Sequence, residues 1–210
     1  MSKTRLPAVA GQFYPESALR LQDFLNEFLV SPSLCDTAPV TALIVPHAGL
    51  RYSGETAASA FSVVDPARWR HIVLIGPTHH RWFDGIAVAP HDFFRTPLGD
   101  VPVDTAVCNA LVAADPLFEM NEDAHAPEHA LEVELPFIQH LMPECPIIPL
   151  VCGNLTPDEI RKAAAALDAV LPSETLFVVS SDFTHYGERF DYVPFAETEA
   201  PEALPKLDHG

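Results

Sequence analysis

Apolar positions along this chain follow two rhythms. Leu21, Phe24, Leu25, Phe28 and Leu29 fall at helical spacing and predict a helix over 16–30, opened by Pro15 and stopped by Ser31-Pro32. Short apolar runs at 42–45, 71–75, 85–89, 147–151 and 176–179 have the length of buried strands. Helices are predicted between them over 54–64, 104–114 and 129–142, and from Thr156-Pro157-Asp158-Glu159 to about Leu171. That last opening combines a capping threonine, a proline at the first helical position and early acids. Leu131, Leu135, Ile138 and Met142 share one face of 129–142, with a kink expected at Pro136. A short helix around 200–207 is the most expected after Val193, where Pro194, Pro201 and Pro205 interrupt the pattern.

Alternating strands and helices predict an α/β fold, a three-layer sandwich around a largely parallel, mixed sheet. Strands 42–45 and 72–75 form one βαβ unit, and 147–151 and 176–179 another. Right-handed crossovers make the strands of each unit parallel, so their C-terminal ends share one sheet edge, outside which such folds bind ligands. With 210 residues and no internal repeat, one domain is expected over 1–192, followed by an acidic tail, 193–210, that is partly ordered at most.

Composition narrows the partners. A net charge of −17 repels phosphate backbones, which disfavours nucleic acid. No apolar run approaches the ~20 residues of a membrane span, and Met1 to Pro15 lacks the apolar stretch of a secretory leader. Cys35, Cys108, Cys145 and Cys152 form no zinc-type pair, so they read as reduced thiols and a cytoplasmic location is expected. Cys152, at a strand end, reads as a pocket-lining thiol or, more simply, as a small buried apolar residue.

The polar residues that change the picture stand at strand ends. Strand 42–45 runs into Pro46-His47-Ala48-Gly49, strand 71–75 into Gly76-Pro77-Thr78-His79-His80, and strand 176–179 into Ser180-Ser181-Asp182-Phe183-Thr184-His185. One such histidine is an ordinary loop residue; three at one edge suggest a site. Converging neutral imidazoles begin a transition-metal site, which a carboxylate or thiolate would complete. His47 and His79 are the candidate metal ligands, Fe(II) the first candidate ion, and Cu or Zn the alternatives. Asp182 and His185 are candidates for a further ligand, or for a supporting carboxylate and an acid–base group. Arg51, His80 and Trp82 are candidate substrate contacts, with plain surface roles as the alternative. His125-Ala-Pro-Glu128-His129 matches the H-x-x-E-H zinc-protease pattern, but Pro127 breaks the single helix that pattern needs. Glu128 is better suited to starting a helix that points His129 at the pocket as a further acid–base candidate; a hydrogen-bonded core histidine is the alternative.

Five blocks together resemble the Memo family, called AmmeMemoRadiSam system protein B in prokaryotes. They are Arg5 to Pro15, Pro46 to Gly49, Gly76 to His80, Glu128 to Pro136 and Ser180 to Gly187. The resemblance implies a fold similar to class III extradiol ring-cleaving dioxygenases, with His47 and His79 as metal ligands and Asp182, His185 and His129 in the pocket. It implies a metal-dependent oxidoreductase acting on a small, catechol-like aromatic substrate. The other reading is a non-catalytic module working with AMMECR-like and radical-SAM proteins. Family members continue past the point where this chain ends, and their third ligand, a cysteine, lies in that continuation. Strand 176–179 is apolar throughout and expects cover on both faces, part of which the continuation supplies in the family. An exposed apolar patch or unpaired strand edge, with self-association into a homo-oligomer, is therefore expected.

Overall fold

A computed structural model describes residues 2–29 and 40–208. In chain order the elements are β1 (Thr4–Arg5), α1 (Ala18–Phe28), β2 (Ala42–Val45), α2 (Leu50–Phe61), β3 (His71–Pro77), β4 (Ile86–Val88), β5 (Phe93–Thr96), β6 (Gly99–Pro102), α3 (Thr105–Ala114), β7 (Phe118–Met120), α4 (Glu122–His125), α5 (Leu135–Leu141), β8 (Ile147–Cys152), α6 (Pro157–Val170), β9 (Thr175–Ser180) and α7 (Ala200–Asp208). A six-stranded sheet in the order β2-β9-β3-β8-β4-β7 forms the centre. Its first four strands are parallel, and β4 runs antiparallel to β8, so the sheet is mixed. Helices flank it in two groups, α1 with α2 and α5, and α3 with α6, which makes the three-layer sandwich. A small second sheet, β1-β5-β6, carries the N-terminus.

The central strands are buried because both faces are covered: Ile72, Val73, Leu74, Ile147, Ile148, Leu176 and Val178 are sealed from solvent. β9 lies between β2 and β3, and β3 between β8 and β9. The strands of each expected βαβ unit are therefore parallel but not adjacent; the two units interleave. Their C-terminal ends still share one edge, with Val45 beside Ser180 and Pro77 beside Cys152.

Two predicted helices change their bounds. α2 starts at Leu50, four residues before the predicted start, where the Leu50 amide donates to the Phe13 carbonyl (2.7 Å). Gly54, which reads as a helix start, is interior because the Phe24 ring packs against it; a Cβ there would lie 2.5 Å from that ring. The segment 129–142 is not one helix: a turn leads into a 3-10 turn at Glu132–Glu134 and then α5. Pro136 sits in the first turn of α5, where its missing amide costs nothing, so it starts a helix and bends none. α6 opens with the expected capping box between Thr156 and Glu159.

The segment carrying Glu128 and His129 is tied to the N-terminus by a buried ion pair. The Arg5 guanidinium donates to a Glu132 carboxylate oxygen, to the Glu128 carbonyl (2.5 Å) and to the His125 carbonyl (3.1 Å). Glu132 also accepts from the amides of Ala8 (2.8 Å) and Val9 (3.0 Å) and from the Tyr14 hydroxyl (2.6 Å). A charge pair this deep is tolerated only because nearly every lone pair and proton finds a partner. The end of the predicted first helix, its Ser31-Pro32 stop and Cys35 lie outside the described residues. Cys108 and Cys145 are buried thiols and Cys152 is half-buried. Among the described residues, no helix is long and apolar enough to cross a membrane.

Candidate metal centre

Three imidazoles meet at the C-terminal edge of the sheet. His47 follows β2, His79 follows β3, and His129 comes from the turn between α4 and α5. Ring centroids are 5.1 Å apart for His47 and His79, 5.6 Å for His47 and His129, and 4.4 Å for His79 and His129. One ring nitrogen from each lies within 4.8 Å of the other two, and among the described residues this is the one convergent group of three ligand-type side chains. Where the sequence pointed to a carboxylate or thiolate as third group, the structure brings in the His129 imidazole.

Local packing explains the convergence. Gly76 lets β3 approach the Ala130-Leu131 turn; a Cβ would meet Leu131 Cδ2 at 2.9 Å and Ala130 Cβ at 3.2 Å. Phe13 packs against His129 with its ring tilted by 51° and centroids 4.7 Å apart. Glu128 organises the loops: its carboxylate accepts from the amides of His79 (2.7 Å), His129 (2.9 Å) and Ala130 (2.9 Å) and from His79 Nδ1 (2.8 Å). Burial works against ionising Glu128, but the His79 ring and the backbone donors outweigh it and hold the carboxyl at about 2. That hydrogen bond raises the pKa of His79. Burial, aided by His79, pushes His129 down to about 4, and burial lowers His47 despite the opposing pull of Asp182.

This donor set fits a transition ion. His47 and His129 are neutral near pH 7, so their lone pairs are available. His79 and His47 each engage Nδ1, with Glu128 and with Ser180 (2.8 Å), which leaves Nε2 free. Three ligands about 2.1 Å from one ion and evenly spread around it sit at most about 3.6 Å apart, so nitrogens within 4.8 Å need draw in by no more than about 1.2 Å, which side-chain rotation supplies.

The remaining candidates fall elsewhere. Asp182 lies beside the trio without joining it; its Oδ1 accepts from the amides of His47 (2.6 Å) and Ala48 (3.2 Å) and fixes that loop. His185 is half exposed, with Nε2 3.8 Å from Asp182 and its ring on Phe190 (5.0 Å). It lines a neighbouring groove of about 460 Å³ with Tyr52, Tyr186 and Phe190. His80 is exposed beside His129, at 5.9 Å between centroids. Arg51 lies over the Tyr52 ring, and Trp82 is 90% exposed. His125 of the H-x-x-E-H pattern is buried and bonded to the Ala87 carbonyl (3.0 Å), so no protease-type pair forms. Residue patterns did not single out Ser180, Glu134, Glu132, Arg5 or Phe13. The available signal was Glu132 and Glu134 inside the apolar run Leu131 to Ile138, since acids there must be either exposed or fully partnered.

Fold and site together define a mixed α/β protein with a three-histidine centre at the C-terminal edge of its parallel strands. The chain belongs to the Memo family: the family model described as Memo-like protein matches residues 5–209. A MEMO1 family protein of Thermoplasma acidophilum is 33% identical over 185 residues, covering 88% of this chain and 68% of that protein. One from Pyrococcus horikoshii is 32% identical over 211 residues, covering 97% and 72%. Protein MEMO1 of Xenopus laevis is 33% identical over 195 residues, covering 90% and 65%.

Proposed function

We propose that this Memo-family chain is a metal-binding protein in which His47, His79 and His129 hold one divalent transition ion, Fe(II) first and Cu or Zn as alternatives. The observation that carries the reading is the convergence of three ring nitrogens within 4.8 Å. When bound, the ion would supply a Lewis-acidic and, for Fe or Cu, redox-active centre for an oxidoreductase of the extradiol-dioxygenase kind. The chain's own residues do the rest. Glu128 orients His79 and the turn bearing His129, Asp182 fixes the loop bearing His47, and the aromatic groove beside His185 is where a small aromatic substrate would lie. His185 is the candidate proton-transfer group on that side, with Nε2 3.8 Å from the Asp182 carboxylate and not hydrogen-bonded to it.

The second reading, a non-catalytic module acting with AMMECR-like and radical-SAM proteins in the cytoplasm, draws support from one observation. His185 is half exposed and bonded to neither a trio member nor Asp182, at 3.8 Å. Equilibrium dialysis with elemental analysis, followed by oxygen uptake on a catechol panel, separates the two. Wild type should take up one ion per chain. His47→Ala, His79→Ala and His129→Ala should each lose that uptake, and His185→Ala should keep it. Oxygen uptake lost in His185→Ala supports the enzyme; metal uptake without turnover supports the module. Stoichiometric metal retained in any trio variant contradicts the assignment.

A further inference from the structure

Beside His47 lies a buried polar cluster in which the metal assignment gives Glu134 no role. Ser180, the last residue of β9, is buried, and its Oγ has three neighbours: His47 Nδ1 at 2.8 Å, the Ala130 carbonyl at 2.7 Å and Glu134 Oε1 at 3.1 Å. Glu134 is sealed from solvent, and among the described residues its Oε2 has no hydrogen-bond partner.

A hydroxyl has one proton and two lone pairs. Of the three neighbours, only the Ala130 carbonyl can never donate. At 2.7 Å it must receive the serine proton, because two oxygens facing each other that closely without one repel. Ser180 then has only lone pairs to offer, so both other neighbours must be donors. His47 donates as Nδ1–H, and Glu134 donates as a carboxylic acid. An ionised Glu134 would set a buried charge against a lone pair, with its second oxygen unpartnered. Desolvation raises the Glu134 pKa well above the ordinary glutamate value, the nearby Asp182 charge adds to this, and the Ser180 contact opposes it.

We propose that Ser180 is a positioning residue which, held in place by a neutral Glu134, fixes His47 as the Nδ1–H tautomer and so directs its Nε2 lone pair at His79 and His129. The inference rests on the metal-centre reading for its purpose, but its geometry concerns the metal-free protein alone. A histidine that offers the wrong nitrogen cannot ligate without first moving a proton, and partners of this kind typically contribute about 10–100-fold in metal affinity.

Nitrogen-15 NMR of histidine-labelled, metal-free protein tests this, alongside infrared difference spectra of Glu134→Gln against wild type. Wild-type His47 should show a protonated Nδ1 and an unprotonated Nε2. Ser180→Ala should give a tautomer mixture with an unchanged circular dichroism spectrum, and bind Co²⁺ about 10–100-fold more weakly. Glu134→Leu removes the supporting donor and should move His47 in the same direction. Glu134→Gln keeps a donor, so it should restore the wild-type tautomer and lack the carboxylic-acid carbonyl band of wild type. A wild-type His47 protonated at Nε2, or the absence of that band, overturns the proposal even if metal binds. Correct tautomers with no metal uptake overturn the metal reading and leave this inference standing. Should Ser180→Ala fail to fold, Ser180→Thr, which keeps the hydroxyl, must retain the wild-type tautomer.

Discussion

Glu128 does most at the scale of single residues. Its carboxylate collects four hydrogen bonds from three residues, two of them members of the histidine trio. With a folded pKa of about 2, it binds fewer protons than an unfolded glutamate near 4.5. Its stabilisation is therefore complete above about pH 4.5 and is lost as pH falls towards 2. His125 adds an earlier loss. Burial holds it at about 4, against an ordinary value of 6.5, so the unfolded chain binds more protons between those values and stability falls with pH from 6.5 to 4. Urea midpoints should decline in two stages across these windows, and Glu128→Gln should flatten the more acidic one. A midpoint unchanged between pH 7 and 4 would contradict the buried, neutral His125. The Arg5–Glu132 pair predicts a larger effect: Arg5→Met strands a buried carboxylate and should cost about 3–5 kcal/mol by chemical denaturation.

At the scale of elements, the site depends on how closely β3 approaches the turn after α4. Gly76→Ala places a methyl 2.9 Å from Leu131 Cδ2 and 3.2 Å from Ala130 Cβ, so the buried Leu131 side chain must repack and Ala130, next to His129, must give by a few tenths of an ångström. Overpacking of this kind costs about 1–3 kcal/mol. Metal affinity should fall together with the melting temperature, and a Gly76→Ala protein with wild-type affinity would show that the trio does not need this contact. Strands β2, β3, β4, β8 and β9, together with α6 and α7, were legible in the sequence because apolar runs and the Thr156 capping box are local signals; β1, β5, β6 and β7 were not, because they are two to four residues long and carry no apolar run of their own. His47 and His79 were legible for the same reason, each following a buried run. His129 was placed at the pocket, but not as a third convergent ring, because its position is set by long-range contacts through Glu128, Gly76 and Phe13. The 3-10 turn at Glu132–Glu134 was missed because helical spacing continues through it. Its two acids are accommodated only by partners as distant in sequence as Arg5 and Ser180.

At the scale of the whole molecule, β9 has β2 and β3 on either side, and among the described residues it is β2 that ends the sheet. Ile44 of β2 is 55% exposed and pairs with Val179, which pairs with Ile75, so the three share one face of the sheet. The acidic tail segment packs back on the His185 loop: the Thr184 hydroxyl donates to Asp208 (2.6 Å), and Tyr186 stacks on Phe195 (5.0 Å). Self-association through the β2 face is opposed by a net charge of −17, so it should strengthen as salt screens that charge. Sedimentation at two ionic strengths should show this, and Ile44→Lys should abolish it; a monomer at every salt concentration would mean that this face recruits no second copy. The central claim concerns the histidine centre, and the most direct measurement is anomalous diffraction from crystals grown with one equivalent of Fe(II), Co(II) or Zn(II). A single peak enclosed by the rings of His47, His79 and His129 is the predicted result. No peak there, or an ion held by other residues while the trio stays empty, would contradict the account.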